Sequence, residues 1–382
     1  MRQKMAEALP IYNGAVDKGL EGVVACTTGI SSIMDATLCY RGYTIEDLAA
    51  NSTFEEVVFL LWNDRLPSAT ELDAFRKEIA TYVTLPKEAI QPLRSLPTKD
   101  VHPMAWLRSA VSILGLYDTD AQGEDTTSKH RVALRLTARM GGLVSLFERT
   151  RKGQDLIAPK PDKSLAYNLL WTMFGKEPDP DFVHTMDVAL ILHADHELNC
   201  SAFAARVTAS SLSDIYSAVV SAVCALKGPL HGGANEQVMR MLIDIGSLEK
   251  ARVWIKDALA HKKKIMGFGH RVYKNGDPRA KILSQMSDKL TKKLGTEHWY
   301  QMSKLIDDTV QAEIGLLPNV DFYSATVYYS LGITIDLFTP IFAVSRISGW
   351  LAHIFEQWQN NRIYRPRGQW TGKSGLKYPA KR

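Results

Sequence analysis

The chain has 382 residues, 46% of them hydrophobic and 23% charged, with a formal net charge of +5. This is ample for a large core, points to two domains rather than one, and is too small a basic excess to imply nucleic acid. The four cysteines, Cys26, Cys39, Cys200 and Cys224, form no CxxC and read as free thiols of a reducing compartment; no secretory signal or membrane-length apolar run stands out.

Residues 1–10 read as a frayed end. The stretch 15–43 is rich in Val, Thr, Ser and Gly and has a turn signal at Arg41-Gly42, which predicts a few short strands. From there the pattern is helical. Thr44 precedes acidic Glu46 and Asp47 as a cap, and Thr53 followed by Glu56 reads as a capping box leading an apolar stripe through Val57, Leu60 and Leu61. Helices are predicted from Pro67 to about Tyr82, from Pro86, and from His102-Pro103 to about Tyr117. An acidic loop covers 118–127. A long amphipathic helix over 128–151 is expected to loosen at Gly141-Gly142.

Beyond a proline-broken linker at 158–162, helices are predicted over 165–174, 181–193, 202–209, 213–227, 235–246, 251–264, 278–294, 298–315, 323–331 and 340–357, before a basic tail at 363–382. The fold class is therefore all-α with a few short N-terminal strands; doubly wound and barrel folds are excluded by the lack of strand–helix alternation. Composition shifts at Lys227-Gly228-Pro229 and at 316–318. They suggest a large helical domain of 1–229 and 326–382 and an inserted small helical domain of 230–325, with a ligand cleft between them.

The chemistry-bearing residues gather around 225–279. His231 lies in Pro-Leu-His-Gly-Gly-Ala-Asn before a predicted helix, where a neutral imidazole could donate one hydrogen bond while its other nitrogen is fixed by backbone. His270 lies in Gly-Phe-Gly-His-Arg with Lys274 and Arg279 close behind, a grouping suited to an oxyanion or carboxylates. Asp321 sits between Val320 and Phe322, where desolvation would make it a stronger base. Arg346 interrupts an apolar stripe and calls for an anionic partner. Each has a plain alternative: a satisfied turn histidine, a solvated basic loop, a helix cap, a protein carboxylate. His196, between Asp195 and Glu197, is either a ligand-binding histidine or part of a polar cluster; His102 and His353 read as structural. There is no HExxH, paired CxxC, GxGxxG or GxSxG.

These residues, with Tyr40-Arg41-Gly42-Tyr43, His102-Pro103-Met104, Asp195-His196-Glu197-Leu198-Asn199, Gly228 to Asn235, Gly267 to Tyr273, Asp277-Pro278-Arg279, Asn319 to Phe322, Arg346 and Arg365-Pro366-Arg367, follow one order over about 18–370. That ordered set resembles the citrate synthases, including the related 2-methylcitrate synthases. The resemblance implies a nearly all-helical homodimer whose small domain closes over oxaloacetate and acetyl-CoA. It implies catalytic roles for His231, His270 and Asp321, and oxaloacetate binding by His196, His270, Arg279 and Arg346, with Arg365 lent across the dimer interface. It implies coenzyme A contacts by Lys262, Lys264, Gly267, Phe268, Gly269, Arg271 and Lys274. Coenzyme A thioester would be a substrate, with no tightly bound cofactor, metal, nucleic acid or membrane required. The start lacks both a long β-rich extension of the NADH-inhibited type and a mitochondrial-type presequence. The expectation is a cytoplasmic prokaryotic protein, dimeric or in a higher assembly. Propionyl-CoA in place of acetyl-CoA is the near alternative. A basic-surface binding module or a catalytically dead assembly protein are the more distant ones.

Overall fold

The computed structural model describes residues 16–34, 37–269, 273, 276–373 and 375–378. The chain forms two units, one of residues 1–27 and 363–382, the other of Thr28–Arg362. The described part of the first holds a three-residue 3-10 turn, Lys18–Leu20, and otherwise irregular backbone.

The second unit starts with a small antiparallel sheet in chain order, β1 (Ser31–Met34), β2 (Thr37–Tyr40) and β3 (Tyr43–Thr44), with Ser31 opposite Tyr40. Sixteen helices follow among the described residues: α1 (Ile45–Asn51), α2 (Phe54–Asn63), α3 (Ala69–Ala80), α4 (Lys87–Arg94), α5 (Pro103–Leu116), α6 (Thr126–Arg151), α7 (Leu165–Phe174), α8 (Pro180–His193), α9 (Cys200–Ser210), α10 (Ile215–Leu226), α11 (Ala234–Ile245), α12 (Leu248–Ala260), α13 (Pro278–Leu294), α14 (His298–Ile314), α15 (Val320–Ser330) and α16 (Phe338–Gln359). The fold is thus helical with short N-terminal strands.

The helix starts are written into the sequence. Side-chain oxygens of Ser164, Asn199, Asp214, Ser247, Asp277 and Asn319 accept first-turn N–H groups, and proline occupies the first turn of α5, α8 and α13. The complete capping box belongs to Ser68 and Glu71. At Thr53 only half of the expected box forms: its hydroxyl takes the Glu56 N–H at 3.4 Å, while the Glu56 carboxylate accepts from Ser52 Oγ at 2.7 Å. The helix expected over 251–264 ends at Ala260, where Lys262 turns left-handed (φ 50°). Gly141-Gly142 does not loosen α6, which runs unbroken over 26 residues.

At the centre lies α16, buried at every position from Phe338 to Ile354 and packed by α2, α6, α8, α9 and α10. With the turn before it, Ile335–Gln359 is long and apolar enough to cross a bilayer, but its most apolar stretch is enclosed by protein. A second packing group joins α11, α13 and α15, with α12 against α14. The two groups meet where α13 packs against α8 and α11 against α16.

Candidate active site

The loop that carries His196 leaves α8 and is fastened on two sides. Tyr40 of β2 donates its hydroxyl to the Asp195 carbonyl at 2.9 Å and accepts the Asp195 N–H at 3.1 Å. Ser31 of β1 donates to Asp195 Oδ2 and accepts the Glu197 N–H at 2.7 Å, which holds Glu197 in a left-handed conformation (φ 51°). On the other side, α16 comes so close that a Cβ on Gly349 would lie 2.3 Å from Asp195 Oδ1. Only glycine admits that approach. His353, fully buried on α16, accepts from Arg206 at Nδ1 and so donates from Nε2 to Asp195 Oδ2 at 3.3 Å. His196 itself pairs through Nε2 with the Tyr273 hydroxyl at 3.1 Å.

Several C-terminal carbonyls of α8 would otherwise be orphaned, and α16 satisfies three of them. Ser345 donates to Leu190, Gly349 N–H to Ala194, and Arg346 Nε to the His193 carbonyl at 2.7 Å. Arg346 is 1% exposed, lies over the Phe342 ring at 4.6 Å, and forms no ion pair with a carboxylate among the described residues. Burial pulls its pKa down to about 10, against the pull of Asp195. A desolvated guanidinium held, among the described residues, at Nε alone is an anion receptor with its fork still to fill.

Arg279, also buried, is paired with Asp277: Nε and Nη2 bind its carboxylate at 2.9 and 2.7 Å. Burial opposes its charge, and Asp277 outweighs burial and holds its pKa up. Asp277 also caps α13 and accepts the Val320 N–H at 3.0 Å, tying the starts of α13 and α15 together.

Asp321 lies in the first turn of α15. It is not the cap: Asn319 takes that part and accepts the Asp321 N–H at 3.0 Å. Asp321 Oδ1 is covered and has no hydrogen-bond partner among the described residues. Burial raises its pKa to about 7, with Arg279 and Arg346 pulling down and Asp277 pushing up. A carboxylate so placed is a strong base for its type.

The segment before Asp321 is laced to the glycine loop. The Gly269 N–H donates to the Leu317 carbonyl, the Asn319 N–H to the Gly267 carbonyl, and Asn319 Nδ2 to the Gly269 carbonyl. Gly267 (φ 81°) is required, since a Cβ there would stand 2.8 Å from Phe322 and 2.9 Å from Val238. Phe268 meets Phe322 edge-on at 4.6 Å. Lys262 and Lys264 are exposed beside this loop, while Lys263 is tied to Asp257 at 2.6 Å.

His231 lies in the turn before α11, but the helix that governs it is α9. The Ser201 N–H, at the start of α9, donates to His231 Nε2 at 3.2 Å, and Ser201 Oγ lies 2.9 Å from the same nitrogen. Trp350 Nε1 in turn donates to Ser201 Oγ at 3.0 Å. Burial first, then Arg346, lowers the His231 pKa to about 4. The ring is neutral at pH 7, with its proton on Nδ1.

The structure thus gathers His231, Asp321, Arg279 and Arg346 in one electrostatic neighbourhood and sets His196 with Tyr273 beside it. Arg365 belongs to the other unit and is exposed there. His270, Arg271 and Lys274 lie outside the described residues. Sequence reasoning gave no part to Ser201 and none of its own to Asp277. The Asp-Pro cap signal could have found Asp277; nothing local marks Ser201. His102 caps α5 through Nδ1. All four cysteines are free thiols, and no group of metal-binding side chains occurs among the described residues. This arrangement can hold a dianion against guanidinium groups, remove a weakly acidic proton, and donate a hydrogen bond from a neutral imidazole.

Comparison with known proteins gives one answer. The family described as citrate synthase, C-terminal domain, matches residues 19–367. Citrate synthase 2 of Bacillus subtilis is 54% identical over 361 residues, 94% of this chain and 97% of that one. The 2-methylcitrate synthase 2 of Corynebacterium glutamicum is 42% identical over 94% of this chain and 95% of its own length. Among solved structures, the ternary complex of carboxymethyl coenzyme A and oxaloacetate with citrate synthase from Thermoplasma acidophilum aligns with a TM-score of 0.89 at 33% identity, covering 96% of this chain and 98% of that one.

Proposed function

The chain belongs to the citrate synthase family, and on that premise we propose that it condenses acetyl-CoA with oxaloacetate and hydrolyses citryl-CoA to citrate and coenzyme A. The observation that carries this reading is Asp321, a covered carboxylate with a pKa near neutrality, set among two buried guanidinium groups.

In the proposed cycle, oxaloacetate binds first, its carboxylates read by Arg346 and Arg279, with His196 and His270 at the remaining oxygens. Asp321 takes a proton from the acetyl methyl group. Neutral His231 donates from Nδ1 to the thioester oxygen as negative charge develops there. The new carbon nucleophile attacks the ketone of oxaloacetate, and His270 supplies the proton to the resulting alkoxide. Water then cleaves the thioester. The Thermoplasma complex, which holds oxaloacetate and a coenzyme A analogue, supports this assignment of ligands. We assign the coenzyme A site to Lys262, Lys264, Gly267, Phe268, Gly269, Arg271 and Lys274. We assign residues 230–325 to a small domain that closes over it and shields the nucleophile from water. The proposed working unit is a cytoplasmic homodimer in which Arg365 reaches the partner's oxaloacetate. Mixing Arg365→Ala with Arg279→Ala chains should then restore one competent site per mixed dimer, and absence of any recovery removes that assignment.

Release of free thiol from acetyl-CoA with oxaloacetate tests the reaction, and no release overturns it. The 2-methylcitrate relatives favour one competitor, propionyl-CoA, which differs by a single methylene and hence by about 1–3 kcal/mol of discrimination. A higher kcat/KM for propionyl-CoA would transfer the assignment to that reaction.

A further inference from the structure

We propose that a cavity between α6, α7 and the segment 83–90 is a binding site for a medium-chain aliphatic carboxylate. The cavity has a volume of about 290 Å3, and none of the described active-site residues lines it. Its walls are mostly apolar, with side chains such as Leu85, Leu146, Ile157, Leu169 and Val344, interrupted by hydroxyl and amide groups of Thr137, Ser145, Asn168 and Thr172. Two cations, Lys87 and Arg149, also line it, and no aspartate or glutamate among the described residues does. Apolar walls with cationic groups and no anionic ones match a ligand with a hydrocarbon body and one negative head.

Arg149 provides the head-group contact. It is buried, and its guanidinium donates to the backbone carbonyls of Asp155 and, at 3.3 Å, Met173. Carbonyls orient that cation without neutralising it, and it forms no ion pair with a carboxylate among the described residues. A carboxylate entering beside it would gain a charge-assisted partner already held in place.

Gly141 and Gly142 account for the space. Two adjacent glycines disfavour a helix interior, yet α6 continues through them without a break. A Cβ on Gly141 would stand 3.4 Å from Leu169, and one on Gly142 3.6 Å from Leu85. Any longer side chain would grow into the gap between those leucines. From Thr137 to Arg149 the lined face of α6 is about 18 Å long at 1.5 Å per residue, which suits an extended chain. A cavity of about 150 Å3 accepts benzene, so this one has room for roughly ten to twelve carbons.

Calorimetric titration of the full chain with octanoate, decanoate, dodecanoate and tetradecanoate below their micelle concentrations tests the proposal, with 1-decanol as the uncharged control. We expect one site per chain, affinity rising about fourfold per methylene up to ten or twelve carbons and no further, and 1-decanol binding at least tenfold more weakly than decanoate. Arg149→Met should reduce decanoate to the level of 1-decanol. Gly142→Leu and Ala138→Met fill the cavity from two positions, and each should abolish binding; the second serves if the first fails to fold. Absence of saturable binding, unchanged decanoate affinity in a folded filling variant, or affinity that climbs with chain length without a break would overturn the site.

Discussion

The N–H of Ser201 points at Nε2 of His231 from 3.2 Å, across 30 residues of sequence. A backbone N–H can only donate, so this nitrogen must accept and the ring proton must sit on Nδ1. The positive end of α9 and burial both act against protonating the ring. His231→Ala should lower kcat by about 10^2–10^4-fold with the fold intact. Ser201→Ala keeps the amide and should lose about tenfold or less. Steady-state kinetics decide it, and equal losses in the two variants would show that the hydroxyl rather than the amide sets the tautomer.

Asp321 works as a base only when ionised. Its pKa of about 7 therefore predicts that kcat/KM for the acyl-CoA rises with pH through neutrality and then levels. Asp321→Ala should lose most turnover and still bind oxaloacetate; normal turnover in that variant would refute the assignment. The same raised pKa has a stability consequence. The folded state favours the protonated acid, so the stabilisation is complete below the ordinary carboxylate range and is lost as pH rises through about 7. Asp321→Asn should melt higher than the parent at pH 8 and at nearly the same temperature at pH 4, as a pair of thermal scans would show.

Arg346 is desolvated without a carboxylate partner among the described residues. Replacing a buried charge of this kind with an apolar side chain of similar size is often neutral or stabilising. Arg346→Met should hold or raise Tm in the absence of ligand, while oxaloacetate affinity falls by about 100-fold, roughly 3 kcal/mol. A large drop in Tm would make Arg346 a structural cation instead.

A second carboxylate stands apart from the site. Asp187 on α8 accepts the Phe54 N–H at 3.3 Å; burial, then the neighbouring Glu55, raises its pKa, with the Phe54 N–H and Arg76 pulling the other way. The raised acid is stabilising when protonated, and that contribution disappears as pH rises above the ordinary carboxylate range. Asp187→Asn should therefore gain on the order of 1–3 kcal/mol at pH 8 and little at pH 4. Urea unfolding at the two pH values measures it, and a loss at pH 8 would contradict the sign.

Much of the fold was legible because its signals are local. Thr44 and Thr53 announce helix starts through hydroxyls that reach N–H groups three residues on. The apolar period of α2 follows from one face meeting the core, and the mostly apolar sequence of α16 from burial on all sides. Where a feature depended on a distant neighbour, the reading failed. Gly141-Gly142 looked like a weak point because propensity is local, but packing of α6 against α7 keeps the helix whole. Glu56 left the Thr53 box because Ser52 offered it a closer hydroxyl.

The sequence by itself determined the helical class, some of the caps, and the residue types at the candidate site: an acid between apolar neighbours, histidines in glycine turns, an arginine in an apolar stripe. It could do so because periodicity, capping and residue chemistry act over a few positions. Only the tertiary structure decided their states. His231 is neutral because burial and Arg346 lower its pKa, its proton sits on Nδ1 because a helix begun 31 residues earlier presents an amide to Nε2, and Asp321 is raised because it is buried. Arg279 is paired while Arg346 is left open to an anion. Protonation and charge pairing depend on burial and on groups brought in from afar, and those are properties of packing.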